Sequence, residues 1–149
     1  MARYVTKVRT SRSQEEVFAY MADLRNFAEW DPGVRRVSQV EGDGGGLGNV
    51  FDVTVLGRRG QTLRYRTAMF DPPHELLVVA ETKTLRSKDR IIVDPDAPDA
   101  TGAIVTYDAV LRFKGLLRIG GTILYFVFRR IGDRASVGLC RALEGEVLP

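Results

Sequence analysis

Apolar and polar positions alternate along most of this 149-residue chain, and a helical spacing replaces the alternation twice. Residues 2–9 place Tyr4, Thr6 and Val8 on one side and Arg3, Lys7 and Arg9 on the other, the mark of a half-buried strand. In SRSQEEVFAYMADLRNFAEWDP, Ser13 and Glu16 stand at capping-box spacing, and Val17, Met21 and Leu24 give a helix its apolar face. A second short helical turn over Asp23–Trp30 is expected to stop at Pro32. Residues 34–40 read as a strand, and the glycine-rich EGDGGGLGN that follows reads as a hairpin connection. It lacks both the Lys-Ser/Thr and the following helix that a phosphate loop needs. At the far end apolar residues recur at 116, 120, 123/124, 127 and 131, and again at Val137, Cys140, Leu143 and Val147. Gly132-Asp133 between these stripes predicts a break or sharp kink. Residues 134–147 are then the helix gripped by a sheet, and 116–131 a lid or contact surface.

Three hairpins follow from their turns. Gly57–Gly60 suits a three-residue loop, which pairs Val55 with Leu63, Val53 with Tyr65, Phe51 with Thr67 and Asp52 with Arg66. Asp71–His74 turns the next, with Tyr65, Thr67 and Met69 opposite Ala80, Val78 and Leu76. The DPDAPDATG loop turns the last, pairing Ile91 with Val105, Asp89 with Tyr107 and Ser87 with Ala109. In each, one face is apolar and the other charged. The expected architecture is α+β: a curved antiparallel sheet of about seven strands, with two short helices after the first, wrapped around a long C-terminal helix. The length suits a single domain over residues 1–149.

Composition narrows the function classes. An apolar fraction of 44% with 28% charged residues is that of a soluble globular protein. The net charge of +3 comes with basic residues in scattered pairs and no recognised motif, which argues against nucleic acid. One cysteine, Cys140, excludes an intrachain disulfide and sits on an apolar helical face. One histidine, His74, falls in a turn, and no His/Cys cluster offers a metal site. No cofactor is called for. The N-terminus shows no apolar signal region and no run reaches membrane-span length, so cytoplasm is the expectation.

The chemistry rests on an inward carboxylate. Asp89 points to the apolar face beside Tyr107, with Tyr65, Thr67 and Ser87 on the same surface. It is either a structural acceptor or the acid/base group of a pocket, since burial lifts a carboxyl pKa toward neutrality. Asp89 and Tyr107 are the catalytic candidates. No Ser-His-Asp or Cys-His set can be assembled around one exposed histidine.

The order of elements resembles the START/Bet v 1-like (SRPBCC) helix-grip superfamily, and within it bacterial polyketide cyclase/dehydrase-type proteins. The stretches that carry the likeness are SRSQEEVFAYMADLRNFAEWDPGV, GDGGGLGN, DPPHEL, SKDRIIV, TGAIVTYDAVLRFKG and GDRASVGLCRALE. The resemblance implies a cavity between sheet and helix for a hydrophobic ligand, as in lipid and sterol carriers, hormone-binding proteins and polyketide aromatase/cyclases. The residues expected to line it are Trp30, Phe51, Val53, Tyr65, Thr67, Met69, Ser87, Val105, Leu124, Phe128 and Leu139. Trp30 also has a reading as a lid packed on the core. The aromatase/cyclases place arginine in the pocket, whereas Arg64, Arg66, Arg86 and Arg90 here face outward, so no arginine is carried over. Three functions follow: a carrier of an apolar lipid, isoprenoid or polyketide-like molecule; a cyclase/dehydratase using Asp89 and Tyr107; or a peripheral membrane or homodimer contact through 116–131.

Overall fold

The computed structural model describes residues 1–56, 60–98, 101–115 and 121–149, and the side chains of the C-terminal helix from 129 onward. The elements are β1 (Ala2–Thr10), α1 (Gln14–Ala22), a 3-10 turn (Leu24–Asn26), α2 (Phe27–Trp30), β2 (Val34–Glu41), β3 (Val50–Val55), β4 (Thr62–Asp71), β5 (Glu75–Glu81), β6 (Leu85–Pro95), β7 (Ala103–Phe113), α3 (Gly121–Leu143) and β8 (Glu146–Val147). The eight strands form one antiparallel sheet in the order β2-β3-β4-β5-β6-β7-β1-β8, one strand more than expected because residues 146–147 pair with β1. From β2 to β7 consecutive strands are neighbours, and β1 lies between β7 and β8. α3 packs on β1 and α2, while α1 packs on β6 and β7.

Local chemistry places these elements. Ser13 caps α1, its Oγ accepting the Glu16 N–H at 3.2 Å, and Asp23 caps the 3-10 turn through the Arg25 N–H at 3.1 Å. Strand faces alternate as the sequence pattern predicts: Leu63, Tyr65 and Thr67 are buried while Arg64 and Arg66 are exposed, and Arg86 and Arg90 also lie outside. The core gathers the inner face of the sheet, α1, α2 and the buried stripe of α3.

Four expectations need correction. First, the β3–β4 hairpin closes through the Val55 N–H to the Gln61 carbonyl, so its loop is longer than three residues. Phe51 therefore faces Tyr65, Val53 faces Leu63, and Asp52 faces Arg64, to which it is bonded at 2.8 Å. Second, β6 and β7 run two residues further into their turn, setting Asp89 opposite Ala109, Ser87 opposite Leu111 and Ile91 opposite Tyr107. Both slips are of two residues, which changes partners and leaves every side chain on its expected face. Third, a bulge between Thr67 and Met69 turns the strand over. Met69 pairs with Leu77 outside the core, and Phe70 packs against Phe18 with ring centroids 5.4 Å apart.

Fourth, α3 runs unbroken through Gly132-Asp133 and ends at Leu143, short of Val147. Its buried stripe is Gly132, Ala135, Ser136, Leu139 and Leu143, whereas Val137 is exposed and Cys140 half-buried. The glycines serve close approach instead of termination. A Cβ on Gly132 would lie 2.2 Å from the Tyr4 ring, and one on Gly138 would lie 1.9 Å from the Trp30 carbonyl oxygen. Residues 116–120 of the expected lid lie outside the described residues.

Candidate functional site

Between the concave sheet face and α3 lies a cavity of about 380 Å³ that opens at one side. Its walls come from β1 (Tyr4), α2 and the turn after it (Phe27, Asp31, Pro32, Gly33), β2, β3, β4, β6 and β7, and α3 (Ile131, Gly132, Arg134, Ala135). Most of the lining is apolar, including Val34, Val53, Val55, Leu63, Leu85, Ala109 and Leu111. Among the described side chains of α3, the small Gly132 and Ala135 leave room here, with Ile131 and Arg134 beside them, while one to two turns further on Leu139 and Leu143 meet a filled core.

A hydrogen-bonded chain of buried polar side chains is set into this wall. The Tyr65 hydroxyl donates to Ser87 Oγ at 2.9 Å, Ser87 donates to Asp89 Oδ1 at 3.1 Å, and the Tyr107 hydroxyl donates to Asp89 Oδ2 at 3.0 Å. Asp89 is only 3% exposed. Burial pushes its carboxyl up to about 7 against the two hydroxyl donors, with the Asp31 and Asp108 charges adding to the rise. Burial first, and the nearby Asp89 charge second, hold both tyrosine hydroxyls well above their ordinary range. Tyr107 reaches Asp89 from a diagonal position, since Ile91 is its cross-strand partner. The expected bond is present, although the pairing that suggested it is not.

A second carboxylate, Asp31, shares the cavity. It ends α2, its N–H donating to the Phe27 carbonyl at 2.9 Å and its Oδ1 accepting the Gly33 N–H at 2.8 Å. Burial pushes its pKa up to about 6, opposed by that one backbone donor. Sequence reasoning passed over Asp31 as the residue before a helix-stopping proline. An acid between Trp30 and Pro32, at the end of an aromatic helical turn, was the available signal.

Of the ligand-lining candidates, the cavity wall holds Val53, Tyr65 and Ser87, with Asp89 and Tyr107 beside them. Phe51, Val105 and Leu139 are fully buried in the filled core, as is Thr67, whose Oγ has no hydrogen-bond partner. Trp30 packs beside the site, its ring edge-on to Tyr107 at 5.1 Å and tilted against Phe27 at 4.8 Å. Met69 is outside, for the reason given by the bulge. The side chains of Leu124 and Phe128 lie outside the described residues. His74 is exposed in its turn beside Gln14. Among the described residues no cluster of His, Cys, Asp and Glu is arranged to hold a metal, and no helix is long and apolar enough to cross a membrane.

The sheet, gripped helix and cavity agree with a sequence match over residues 1–144 to the family described as polyketide cyclase / dehydrase and lipid transport. The chain belongs to that family. Among solved structures it is similar to a START superfamily protein from Mycobacterium smegmatis, with a TM-score of 0.70 and 15% identity over 97% of this chain and 98% of that one. A protein from Deinococcus radiodurans matches with a TM-score of 0.67 and 15% identity, over 96% and 95% of the two chains. The di-domain ARO/CYC protein StfQ from the steffimycin biosynthetic pathway matches at 0.68 and 17% identity, over 94% of this chain and 48% of that one. At these identities the likeness carries the START-like helix-grip fold. Among curated proteins, none matches the chain in sequence.

Proposed function

We propose that this family member binds an apolar small molecule, of lipid, isoprenoid or polyketide-like character, in the cavity between sheet and α3. The observation that carries the reading is the cavity itself, about 380 Å³ with a mainly apolar wall and a few converging polar groups. That size is at the small end of ligand pockets, which run to about 300–1,000 Å³. Native mass spectrometry of freshly purified protein, with thermal shifts on adding fatty acids, sterols or polycyclic aromatics, tests it. A bound mass or a rise in melting temperature is expected. Ala135→Phe, which fills the hollow from α3, should abolish the effect. No bound mass and no shift with any apolar ligand would sink the proposal.

A second reading, a cyclase/dehydratase, is favoured by the Tyr107–Asp89 bond in a cavity that excludes much of the solvent. A carboxyl held up to about 7 exchanges protons near neutral pH, which suits acid/base work on a ligand positioned against it. Asp89→Asn and Tyr107→Phe should each lower turnover. Unchanged product profiles in both variants would remove this reading and leave the carrier. The membrane or subunit contact proposed for 116–131 falls largely on side chains outside the described residues.

A further inference from the structure

The two cavity carboxylates differ in how well they are satisfied. Asp89 has a hydroxyl donor on each oxygen. Asp31 has only the Gly33 N–H, on Oδ1, and no donor among the described residues is bonded to Oδ2. Asp31 is only 9% exposed and lines the cavity, and that oxygen is not among the fully buried unpartnered ones, so what it meets is the content of the cavity. No lysine or arginine among the described residues pairs with either acid. The one cation on the wall among the described residues, Arg134, is exposed and forms no ion pair with them. The turn at Asp31 does not call for a charge. Its Oδ1 accepts one backbone N–H, which the amide oxygen of asparagine does equally well. A carboxylate in an apolar wall is costly unless a partner arrives.

We propose that Asp31 is the recognition point for a positively charged nitrogen, and that the cavity prefers an apolar amine to an apolar alcohol or acid of the same size. The inference rests on the cavity-binding reading above and adds the chemical class of the ligand. The ammonium donates to Asp31 Oδ2, while the alkyl or ring portion lies along Val34, Val53, Val55 and Leu63. At about pH 8 Asp31, whose pKa is about 6, is ionised and the alkylamine remains protonated.

Isothermal titration of the full chain with octylamine, octanol and octanoate at about pH 8 provides the test. Octylamine should bind about tenfold or more tightly than octanol, and octanoate most weakly. Asp31→Asn keeps the acceptor for Gly33, so the fold should persist, and it should erase the amine preference, so that octylamine no longer binds more tightly than octanol to the variant. Equal binding of amine and alcohol to the wild-type protein, a comparison that needs no variant, would overturn the proposal and leave the cavity reading standing. An amine preference that survives Asp31→Asn would overturn it as well. Failure of all three probes to bind the wild-type protein while a sterol or polycyclic aromatic does bind would overturn the proposal alone, and failure of every apolar ligand would overturn the cavity reading along with it.

Discussion

The space between sheet and α3 has a filled end and a hollow end, built from the same strands and the same helix. At the filled end α3 offers Leu139 and Leu143, and the core includes Val8, Val93 and Val105, all completely buried. The Thr10 hydroxyl ties this end down by donating to the Leu143 carbonyl at 2.6 Å. At the hollow end α3 offers Gly132 and Ala135, and the strands offer Tyr65, Ser87, Asp89 and Tyr107. Over its described side chains the helix thus changes from large to small residues along a single buried stripe, and a few polar groups enter the otherwise apolar strand face alongside it. Stability is concentrated where side chains interdigitate, and chemistry is concentrated where they do not meet.

The contrast can be broken experimentally, beginning where the effect is greatest. Gly138→Ala puts a methyl where the Trp30 carbonyl oxygen already sits, so α3 must lift from α2. We expect a loss of more than about 3 kcal/mol in urea unfolding, in line with severe overpacking. A loss below about 1 kcal/mol would show that the helix seat is soft. Next, Leu139→Ala should cost about 3–5 kcal/mol, whereas Leu111→Ala, half-buried on the cavity wall, should cost less than about 2 kcal/mol. Equal losses would mean that the two ends do not differ in packing.

The polar end has a pH signature. The folded-state pKa of Asp89, about 7, lies above its ordinary carboxylate value, so between roughly pH 4 and 7 the folded protein keeps a proton that the unfolded chain releases. Its contribution is complete below about pH 4 and is lost as pH rises through about 7. Asp31 acts with the same sign up to about pH 6. Stability measured by denaturant titration should therefore fall across this window, by about 3 kcal/mol for Asp89, and Asp89→Asn should flatten the slope. An identical slope in the variant would place the titration elsewhere. The smallest effect belongs to Thr67→Val, which exchanges a buried hydroxyl without a partner for a methyl and should leave stability unchanged or raise it by about 1 kcal/mol.

Much of the fold was legible because side-chain direction has a period of two in strands. Both hairpin registers were displaced by two residues, and still Asp89, Tyr65 and Tyr107 faced the cavity and the arginines faced out. Cross-strand partners were not legible. They depend on loop closure, as at Val55 and Gln61, and turn residues alone do not fix it. The bulge at Met69 was invisible for a related reason: Thr67-Ala68-Met69-Phe70 alternates acceptably in either phase until Phe18 is in place. Gly132 was misread because glycine both ends helices and admits neighbours, and only the Tyr4 ring against it decides which. Asp31 was missed because its local role, a helix stop before proline, already accounted for it.

Gly132 and Gly138 sit six residues apart on α3, one against the Tyr4 ring and the other against the Trp30 carbonyl. A rod resting on two notches has its height above the sheet fixed at both. The headroom of the cavity is therefore set by how closely the helix backbone is allowed to approach, as well as by the size of the side chains on the wall. A related protein with a side chain in place of Gly138 would carry its helix higher, and the size of guest it admits would change with no alteration to the wall.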